Sequence, residues 1–481
     1  MHVGRIVTLA TACLALAGCR HVDGGPSETP IAAIDPLLKT THFEATGPKT
    51  ILGNDAVTPA SAQEVSAQPT TIMTLPQAVQ ETVLANLRVR AKGEKIAQAE
   101  ADFTTASLIP NAQLFADYQL VPLQHTDINN QAGPPQWDAL VTVPIDWLLF
   151  GKRVAAMAAT NLGVDVAQAD YADVLRKAIS DTVQAWYDLL EARELAALAQ
   201  EDLTDLERIE EITKKQVELG GAGSAERDRV RLAVLDARRE ARQRAAAAAA
   251  AKAKLRPLLG RSAPDADFEV RGVLTVKTAV PAPTLEEAVA LAERQRPDLL
   301  SDRRAIAQGR AGVARELALG KPQVPIQTGL NYQVQRRITG FPDTTLFAIG
   351  LNTTLPFTDR NQGNVAKAGS LLRQSELTYK ADLADVRSEI EQALTAYRTA
   401  TIAVTEDDPS TLEVAKNLRD KTEAAYKVGG RRLLELLDAQ RAYRDRVRAS
   451  VSNSTDFWQS LYKLNAATGS LRGAGPDITS P

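Results

Sequence analysis

The residues of this chain that could do chemistry are few, and the most suggestive one lies near the N-terminus. Only two cysteines and four histidines occur among 481 residues. The tetrapeptide LAGC, residues 16–19, places the thiol of Cys19 directly after small residues and a short apolar stretch, which makes it a candidate for covalent modification. Beyond residue 18 the histidines are scattered and form no recognisable catalytic set: His21, His42 and His125.

The segment around Cys19 has the order of a processed leader. Arg5 gives a positive start, residues 6–16 are apolar, and Gly18 precedes the cysteine. This order resembles bacterial lipoproteins, which implies cleavage after Gly18 and acylation of the Cys19 sulfur, for example with palmitate. The alternative is an ordinary secretory signal with an incidental cysteine. We therefore expect a signal peptide at 1–18 and, because residues 19–71 are rich in Pro, Ala, Thr, Gly and Ser, a lipidated tether there.

Composition narrows the class of protein. The formal net charge is -3, which argues against a basic nucleic-acid surface, and aromatic residues make up 5% of the chain. No glycine-rich phosphate loop and no cysteine or histidine metal motif is present, so we expect no enzyme, no cofactor and no metal site. No stretch reaches the roughly 18 consecutive apolar residues of a transmembrane helix, so a membrane crossing would have to use strands.

An internal repeat divides the rest of the chain. Positions in the first half recur about 210 residues later, and double glycines and a Lys-Leu pair recur 209 residues later. The repeat predicts two similar units, 72–281 and 282–470, followed by a C-terminal tail at 471–481. The recurring residues are Thr74, Leu75, Ala78, Val79, Ile96, Ala97, Gln98, Gly220, Gly221, Lys254 and Leu255, matched by Thr284, Leu285, Ala288, Val289, Ile306, Ala307, Gln308, Gly429, Gly430, Lys463 and Leu464.

Four short segments poor in charge alternate between apolar and polar residues, which predicts strands at about 111–121, 137–147, 323–335 and 345–357. Each is close to the roughly 9 to 11 tilted residues that cross a bilayer in a barrel. Their polar faces carry Gln and Asn, as a wet lumen requires, although a half-buried soluble sheet is the alternative. The aromatic residues that we expect at the membrane interfaces are Trp137, Trp147, Tyr332 and Phe357.

Four strands are too few to close a membrane barrel, which needs about eight, and eight leave an interior filled by side chains. The chain must therefore oligomerise, and a trimer supplies twelve strands. After each pair of strands the sequence predicts a helix on the order of 100 Å long, at 152–218 and at 361–427. Pro409 should break the second of them.

The segment 426–440 carries a specific family resemblance. It has an aromatic residue, a glycine turn and an acidic, apolar helix that ends in Leu-Asp-Ala, and 219–226 is a weaker earlier counterpart. This closely resembles the TolC family of outer-membrane efflux proteins, over about residues 72–470. The resemblance implies a mainly α protein with a membrane β-barrel, closed as a trimer into twelve strands and continued by a periplasmic helical barrel. It also implies the function of an exit duct in a tripartite efflux or secretion system.

The resemblance further implies partners and functional residues. A periplasmic adaptor, itself joined to an inner-membrane pump, would dock at the glycine turns, and acidic residues next to the second turn would line a narrow aperture. The alternative for the glycine turns is that they only reverse the chain in a helical hairpin. The alternative for the acidic residues is that they form a solvated helix face. The rival class is a periplasmic coiled-coil lipoprotein without a pore. The docking residues are Gly220, Gly221, Val428, Gly429 and Gly430, and the aperture residues are Glu435, Asp438 and Arg431.

Overall fold

The computed structural model describes residues 71–119, 135–221, 223–261, 268–276, 279–336, 340–406, 409–428 and 430–470. The expected signal peptide, Cys19 and most of the expected tether lie outside the described residues, as do Gly429 and the tail at 471–481. Helices dominate the part that is described.

The two halves share an order of two helices, two strands and then long helices. The first half comprises β1 (Thr71–Met73), α1 (Leu75–Ala85), α2 (Leu87–Ser107), β2 (Gln113–Gln119), β3 (Gln136–Pro144), α3 (Asp146–Leu149), α4 (Lys152–Glu218), α5 (Ser224–Leu258) and β4 (Phe268–Val270). The second comprises α6 (Leu285–Gln295), α7 (Pro297–Leu319), β5 (Pro325–Gln333), β6 (Thr344–Leu351), α8 (Gln362–Glu406), α9 (Pro409–Lys427) and α10 (Leu433–Ala467).

Equivalent contacts join the start and the end of each half. In the first, the amide of Asn86, which caps α2, donates to the Leu258 carbonyl near the end of α5 at 2.9 Å. In the second, the guanidinium of Arg296, which precedes α7, donates to the Ala467 carbonyl at the end of α10 at 2.8 Å. Each side chain satisfies a carbonyl that the last turn of a helix leaves free. The two contacts therefore occur at corresponding positions of the repeat, which are offset by about 210 residues, and each contact closes its own half.

Strands from both halves form one antiparallel sheet in the order β2-β3-β5-β6. Because β3 pairs with β5, the sheet joins the halves, with Val141 opposite Thr328. The apolar face predicted from alternation is the more exposed one: Leu114 is 74% exposed and Ile349 is 75% exposed. The outward edges of β2 and β6 have no partner among the described residues. A sheet with these edges and this face is incomplete by itself.

Strand ends differ from the prediction at β3 and β6. The strand predicted at 137–147 ends at Pro144, which lacks an N–H group, and residues 146–149 turn into α3. The Asp146 carboxylate binds the Lys152 ammonium at 2.8 Å, which ties this turn to the start of α4. Trp147 therefore belongs to a short helix and not to the strand. The strand predicted at 345–357 ends at Leu351, so Phe357 also lies beyond it.

The helix predicted at 152–218 is α4, with the same limits, and its 67 residues span roughly 100 Å. The helix predicted at 361–427 is divided in two: α8 ends at Glu406 and α9 begins at Pro409. A proline fits the first position of a helix because its missing N–H group has no partner there. No helix in the described part of the chain is both long and apolar enough to span a membrane.

Among the described residues, three buried clusters hold the helices together. One surrounds Trp186 in the first half, where β1 and β4 pair in parallel, and a second surrounds Tyr397 in the second half. The third lies where the C-terminal parts of α4 and α9 meet the N-terminal parts of α5 and α10, around Ile209 and Leu436. Burial of such apolar side chains is the main stabilising term, at about 25 cal/mol per Å².

Gly260 provides a test of the contact that closes the first half. Its φ of +73° is left-handed, and a Cβ there would lie 2.2 Å from the Ala85 carbonyl oxygen, next to Asn86. We expect Gly260→Ala to reduce the free energy of unfolding by about 2 kcal/mol or more, since both strain and a backbone clash oppose it. Gly312→Ala in α7, where a Cβ meets nothing within 4 Å, is the control and should be neutral or stabilising. Thermal unfolding followed by circular dichroism measures both variants, and equal melting temperatures would contradict the expectation.

Candidate functional site

The predicted turn at Gly220 and Gly221 ends α4 in a defined way. Gly220 has a φ of +77°, its N–H donates to the Val217 carbonyl at 3.0 Å, and the N–H of Gly221 donates to the Gln216 carbonyl at 2.7 Å. This pair of hydrogen bonds is a Schellman motif, in which a left-handed glycine stops the helix. At the second turn the N–H of Gly430 donates to the Ala425 carbonyl at 2.8 Å, the equivalent of the Gly221 bond.

The structure brings the two turns to the same end of the helices. The Thr213 and Tyr426 hydroxyls are 2.7 Å apart, and the Gln216 amide donates to the Tyr426 carbonyl at 3.3 Å. Tyr426 is buried, which raises the pKa of its hydroxyl above the usual value of 10.0. These contacts join the last turns of α4 and α9. The two turns, predicted as one tip, therefore lie side by side within a single chain.

The tip exposes two large apolar side chains at matching positions. Leu219 is 87% exposed and Val428 is 84% exposed, and both directly precede a glycine turn. Val428 was predicted as part of the tip, whereas Leu219 was missed. The offset of 209 residues relates the two positions and could have identified it. Isolated exposed apolar residues are common, but a matched pair at a tip suits contact with another protein.

Of the three predicted aperture residues, Glu435 and Asp438 lie on one face of the first turns of α10, and Arg431 lies just before this helix begins. The guanidinium of Arg431 contacts the Glu435 carboxylate at 2.7 Å, and Asp438 follows on the exposed side. The opposite face, which includes Leu433 and Leu436, is buried. A surface pair with this spacing contributes about 0.5 kcal/mol or less. Within the described residues Asp438 forms no salt bridge, so one carboxylate of the two is left without a neutralising partner.

Polar contacts behind this face fix α10 against α4. The Arg444 guanidinium meets the Asp202 carboxylate at 2.5 Å, and the Gln440 amide donates to the Asp205 carboxylate at 3.2 Å. Burial raises the pKa of Asp202 above its usual value, although the Arg444 charge opposes that shift. Sequence reasoning missed these residues because their partners are more than 230 positions apart in the chain. These contacts between α10 and α4 hold the face of α10 that carries Glu435 and Asp438 in one orientation.

At one end of the sheet, three aromatic side chains form a row across the strands. Trp137 stands opposite Tyr118 on β2 and opposite Tyr332 on β5. The rings of Tyr118 and Trp137 have centroids 4.6 Å apart. Trp137 and Tyr332 were predicted, and the register adds Tyr118. Amphipathic rings in such a row suit the boundary between lipid and water.

The other two predicted aromatic residues lie beyond the opposite ends of their strands. The indole N–H of Trp147 donates to the Pro144 carbonyl at 2.9 Å, and the Arg153 guanidinium lies 5.8 Å from its ring centroid. Phe357 is 75% exposed. The four predicted aromatics therefore occur at both ends of the sheet, two at each end.

The second face of the sheet carries a hydrogen-bonded polar cluster. Asp138 on β3 accepts from the Asn331 amide on β5 and from the Gln136 amide at 2.8 Å. Asp117 lies opposite Asp138 on β2. Phe115 and Leu140 share this face, so it is less uniformly polar than predicted. Among the described residues, no group of His, Cys, Asp or Glu is placed to hold a metal ion.

Residues 84–261 match the model of the outer membrane efflux protein family. The cobalt-zinc-cadmium resistance protein CzcC of Cupriavidus metallidurans is 22% identical over 378 residues, which cover 78% of this chain and 85% of that protein. The sequence similarity therefore extends over most of both chains.

Solved structures share the fold. The CmeC outer membrane channel of Campylobacter jejuni superimposes with a TM-score of 0.69 at 20% identity, and covers 82% of this chain and 85% of its own. CusC, whose crystal structures concern folding and transmembrane channel formation, gives a TM-score of 0.66 at 18% identity and covers 87% of this chain and 99% of its own. These comparisons show that the chain has the TolC-like fold and that residues 84–261 are similar to the outer membrane efflux protein family.

Proposed function

We propose that this chain is the outer-membrane exit duct of a tripartite efflux or secretion system. The observation that carries the proposal is the four-stranded sheet, whose exposed apolar face and two unpaired edges are joined to helices roughly 100 Å long. Such a sheet suits lipid on one face and closure by further copies. The family consists of outer-membrane efflux proteins, so a passive conduit rather than an enzyme is the class supported.

Three copies complete the proposed duct. They supply twelve strands, which leave room for a lumen, whereas two copies supply eight strands and an interior filled by side chains. The outer-membrane barrel would continue into a periplasmic barrel made of α4, α5, α8, α9 and α10. The competing hypothesis is that the chain is a periplasmic coiled-coil lipoprotein without a pore. It gives no reason for an apolar sheet face bounded by aromatic residues at both ends.

The N-terminal segment is proposed to anchor each copy. Residues 1–18 would be removed as a signal peptide, and residues 19–71 would tether the first repeat to a lipid on Cys19. The supporting observation is the order of Arg5, an apolar stretch, small residues and a cysteine.

Labelling of growing cells with radioactive palmitate tests the anchor. The wild-type protein should incorporate label, and Cys19→Ala should incorporate none, since the thiol is the acceptor. Cys13→Ala, which changes only the proposed signal peptide, is the control and should label normally. Label in Cys19→Ala, or none in the wild type, would refute the anchor.

The tip is proposed to dock the hairpins of a periplasmic adaptor, which links the duct to an inner-membrane pump. Gly220, Gly221, Gly429 and Gly430 would let the partner's backbone approach closely. The exposed side chains of Leu219 and Val428 would supply the apolar contact.

Gly430→Trp tests docking. A bulky side chain at the exposed turn should abolish efflux while outer-membrane trimers persist, because a Cβ there meets nothing closer than the Ala425 oxygen at 3.4 Å. Gly363→Trp, near the sheet end of α8 where a Cβ meets nothing within 4 Å, is the matched control and should retain efflux. Drug or metal export by whole cells is the measurement. Full export by a well-expressed Gly430→Trp variant would contradict docking at this turn.

The acidic face of α10 is proposed to line the closed periplasmic aperture. Threefold repetition would bring three copies of Glu435 and three of Asp438 together, and crowded carboxylates attract cations. Because Arg431 already pairs with Glu435 in the same chain, Asp438 should dominate cation preference.

Conductance in planar bilayers tests the aperture. Asp438→Ala should weaken cation selectivity more than Glu435→Ala does, and the double variant should also reduce block by multivalent cations added from the periplasmic side. Asp236→Ala, which removes an exposed carboxylate from α5, is the control. If selectivity and block in the double variant equal those of the parent, the two acids are a solvated helix face. A parent protein that forms no channel would contradict the duct itself.

A further inference from the structure

The helices near the tip lie in the order α5, α4, α10 and α9, and neighbours in this order pack against one another. The first two belong to the first half of the chain, and the last two belong to the second half. The sheet has the same order of halves, since β2 and β3 precede β5 and β6. Among the described elements, α5 and α9 are therefore the outer helices of this row, as β2 and β6 are the outer strands of the sheet.

The crossing of α4 and α10 joins the two halves near the tip. The Asp202 carboxylate accepts from the Arg444 guanidinium at 2.5 Å, and the Asp205 carboxylate accepts from the Gln440 amide at 3.2 Å. Ile209, one turn closer to the tip, is 0% exposed. The contact between the halves within one chain is therefore a polar pairing followed by an apolar cluster.

The internal repeat relates this crossing to the two outer helices. Both α5 and α10 are 35 residues long, and they begin 209 residues apart. The double glycines have the same offset, so α9 corresponds to the last part of α4. A contact of α9 with α5 would therefore be the counterpart of the contact of α4 with α10. The positions Asp202, Asp205, Ile209, Gln440 and Arg444 are matched by Thr411, Val414, Leu418, Arg231 and Leu235.

The outer helices expose large apolar side chains at these matched positions. Leu235 on α5 is 51% exposed, and Val414 and Leu418 on α9 are 64% and 53% exposed. Leu418 corresponds to the fully buried Ile209. Single exposed apolar residues are common, but these three all lie on the faces that the repeat assigns to a crossing. Both faces are therefore suited to burial against another helix.

The two outer faces also carry opposite charges at matched positions. Asp228 on α5 corresponds to Leu437, and Lys421 on α9 corresponds to Ile212. Leu437 and Ile212 pack against the same buried cluster near the tip. A crossing of α9 with α5 would therefore bring Asp228 and Lys421, both exposed, to the same place. The faces are complementary in charge as well as in their apolar residues.

We propose that α9 of one copy packs against α5 of the next copy, with Val414 against Leu235 and the stem of Arg231, and with Lys421 paired to Asp228. The occupant of both faces is thus a second copy of this chain. A copy fits because the halves alternate around the proposed trimer, so that α9 meets the next α5 where β6 meets the next β2. The inference rests on the proposed duct. Between copies the contact is mainly apolar at the level where the contact within a chain is polar.

Disulfide trapping tests this contact. The double variant Val414→Cys with Arg231→Cys changes the counterparts of Asp205 and Gln440, whose side chains are 3.2 Å apart, so oxidation of outer membranes should link the new thiols between chains. Covalent dimers and trimers should then appear on a non-reducing denaturing gel. The matched control combines Val414→Cys with Arg239→Cys, roughly 12 Å further along α5, and should link poorly. Each single variant reports any link made through Cys19.

Native mass spectrometry of the unoxidised double variant separates the possible failures. Particles of three chains that form no link between positions 231 and 414, form it only within a chain, or link no better than the control would overturn the proposed contact and leave the duct standing. Particles of one or two chains in both the parent protein and the double variant would overturn the contact and the trimeric duct together.

Exchange of charge gives an independent readout. Asp228→Lys or Lys421→Asp alone would place two like charges at the contact and should lower the temperature at which half of the trimers dissociate in detergent. The double variant Asp228→Lys with Lys421→Asp should restore the temperature of the parent protein, because the opposite charges are regained. Equal temperatures in all four proteins, or a double variant no more stable than the single variants, would overturn the pairing.

Discussion

The unpaired edges of the four-stranded sheet are the constraint on which the rest of the molecule depends. A backbone N–H or C=O group in hydrocarbon needs a partner, because water is absent there. In the part of the chain that the structure describes, β3 and β5 are paired on both sides, whereas β2 and β6 are each paired on one side only. The exposed side chains on the same strands, such as Leu114 and Ile349, favour lipid. Both features are satisfied together if the edge of β2 in one copy meets the edge of β6 in the next.

The internal repeat explains how one chain produces this sheet. Each half contributes two strands to the sheet, and β3 and β5 join the halves. Long helices follow the strands, α4 and α5 in the first half and α8, α9 and α10 in the second. The halves are closed by equivalent contacts, through Asn86 in the first and Arg296 in the second. Arg296 is 4% exposed, and salt bridges to Asp298 and Glu389 offset its burial. Burial by itself would raise the pKa of Asp298, but Arg296 lowers it below its usual range.

Much of this architecture could be predicted from the sequence, because its signals are periodic and long. Helix α4 has the predicted limits, and alternation located all four strands of the sheet. The prediction was wrong at Trp147, where the alternation continues past Pro144 although the backbone turns into α3. Contacts between distant positions, such as Arg444 with Asp202, could not be predicted, because pairing across the fold leaves no local pattern. Cys19 and Gly429 remain predictions from the sequence, since they lie outside the described residues.

Closure of the sheet sets the number of copies in the assembled particle, so this number is the quantity to measure. Native mass spectrometry of the protein extracted from the outer membrane measures that number without reference to function. We expect three chains in each particle, which supply twelve strands. A particle of one chain would leave the strand edges open, and a particle of two would supply only eight strands, with no room for a lumen. Either result would contradict closure of the sheet by three copies.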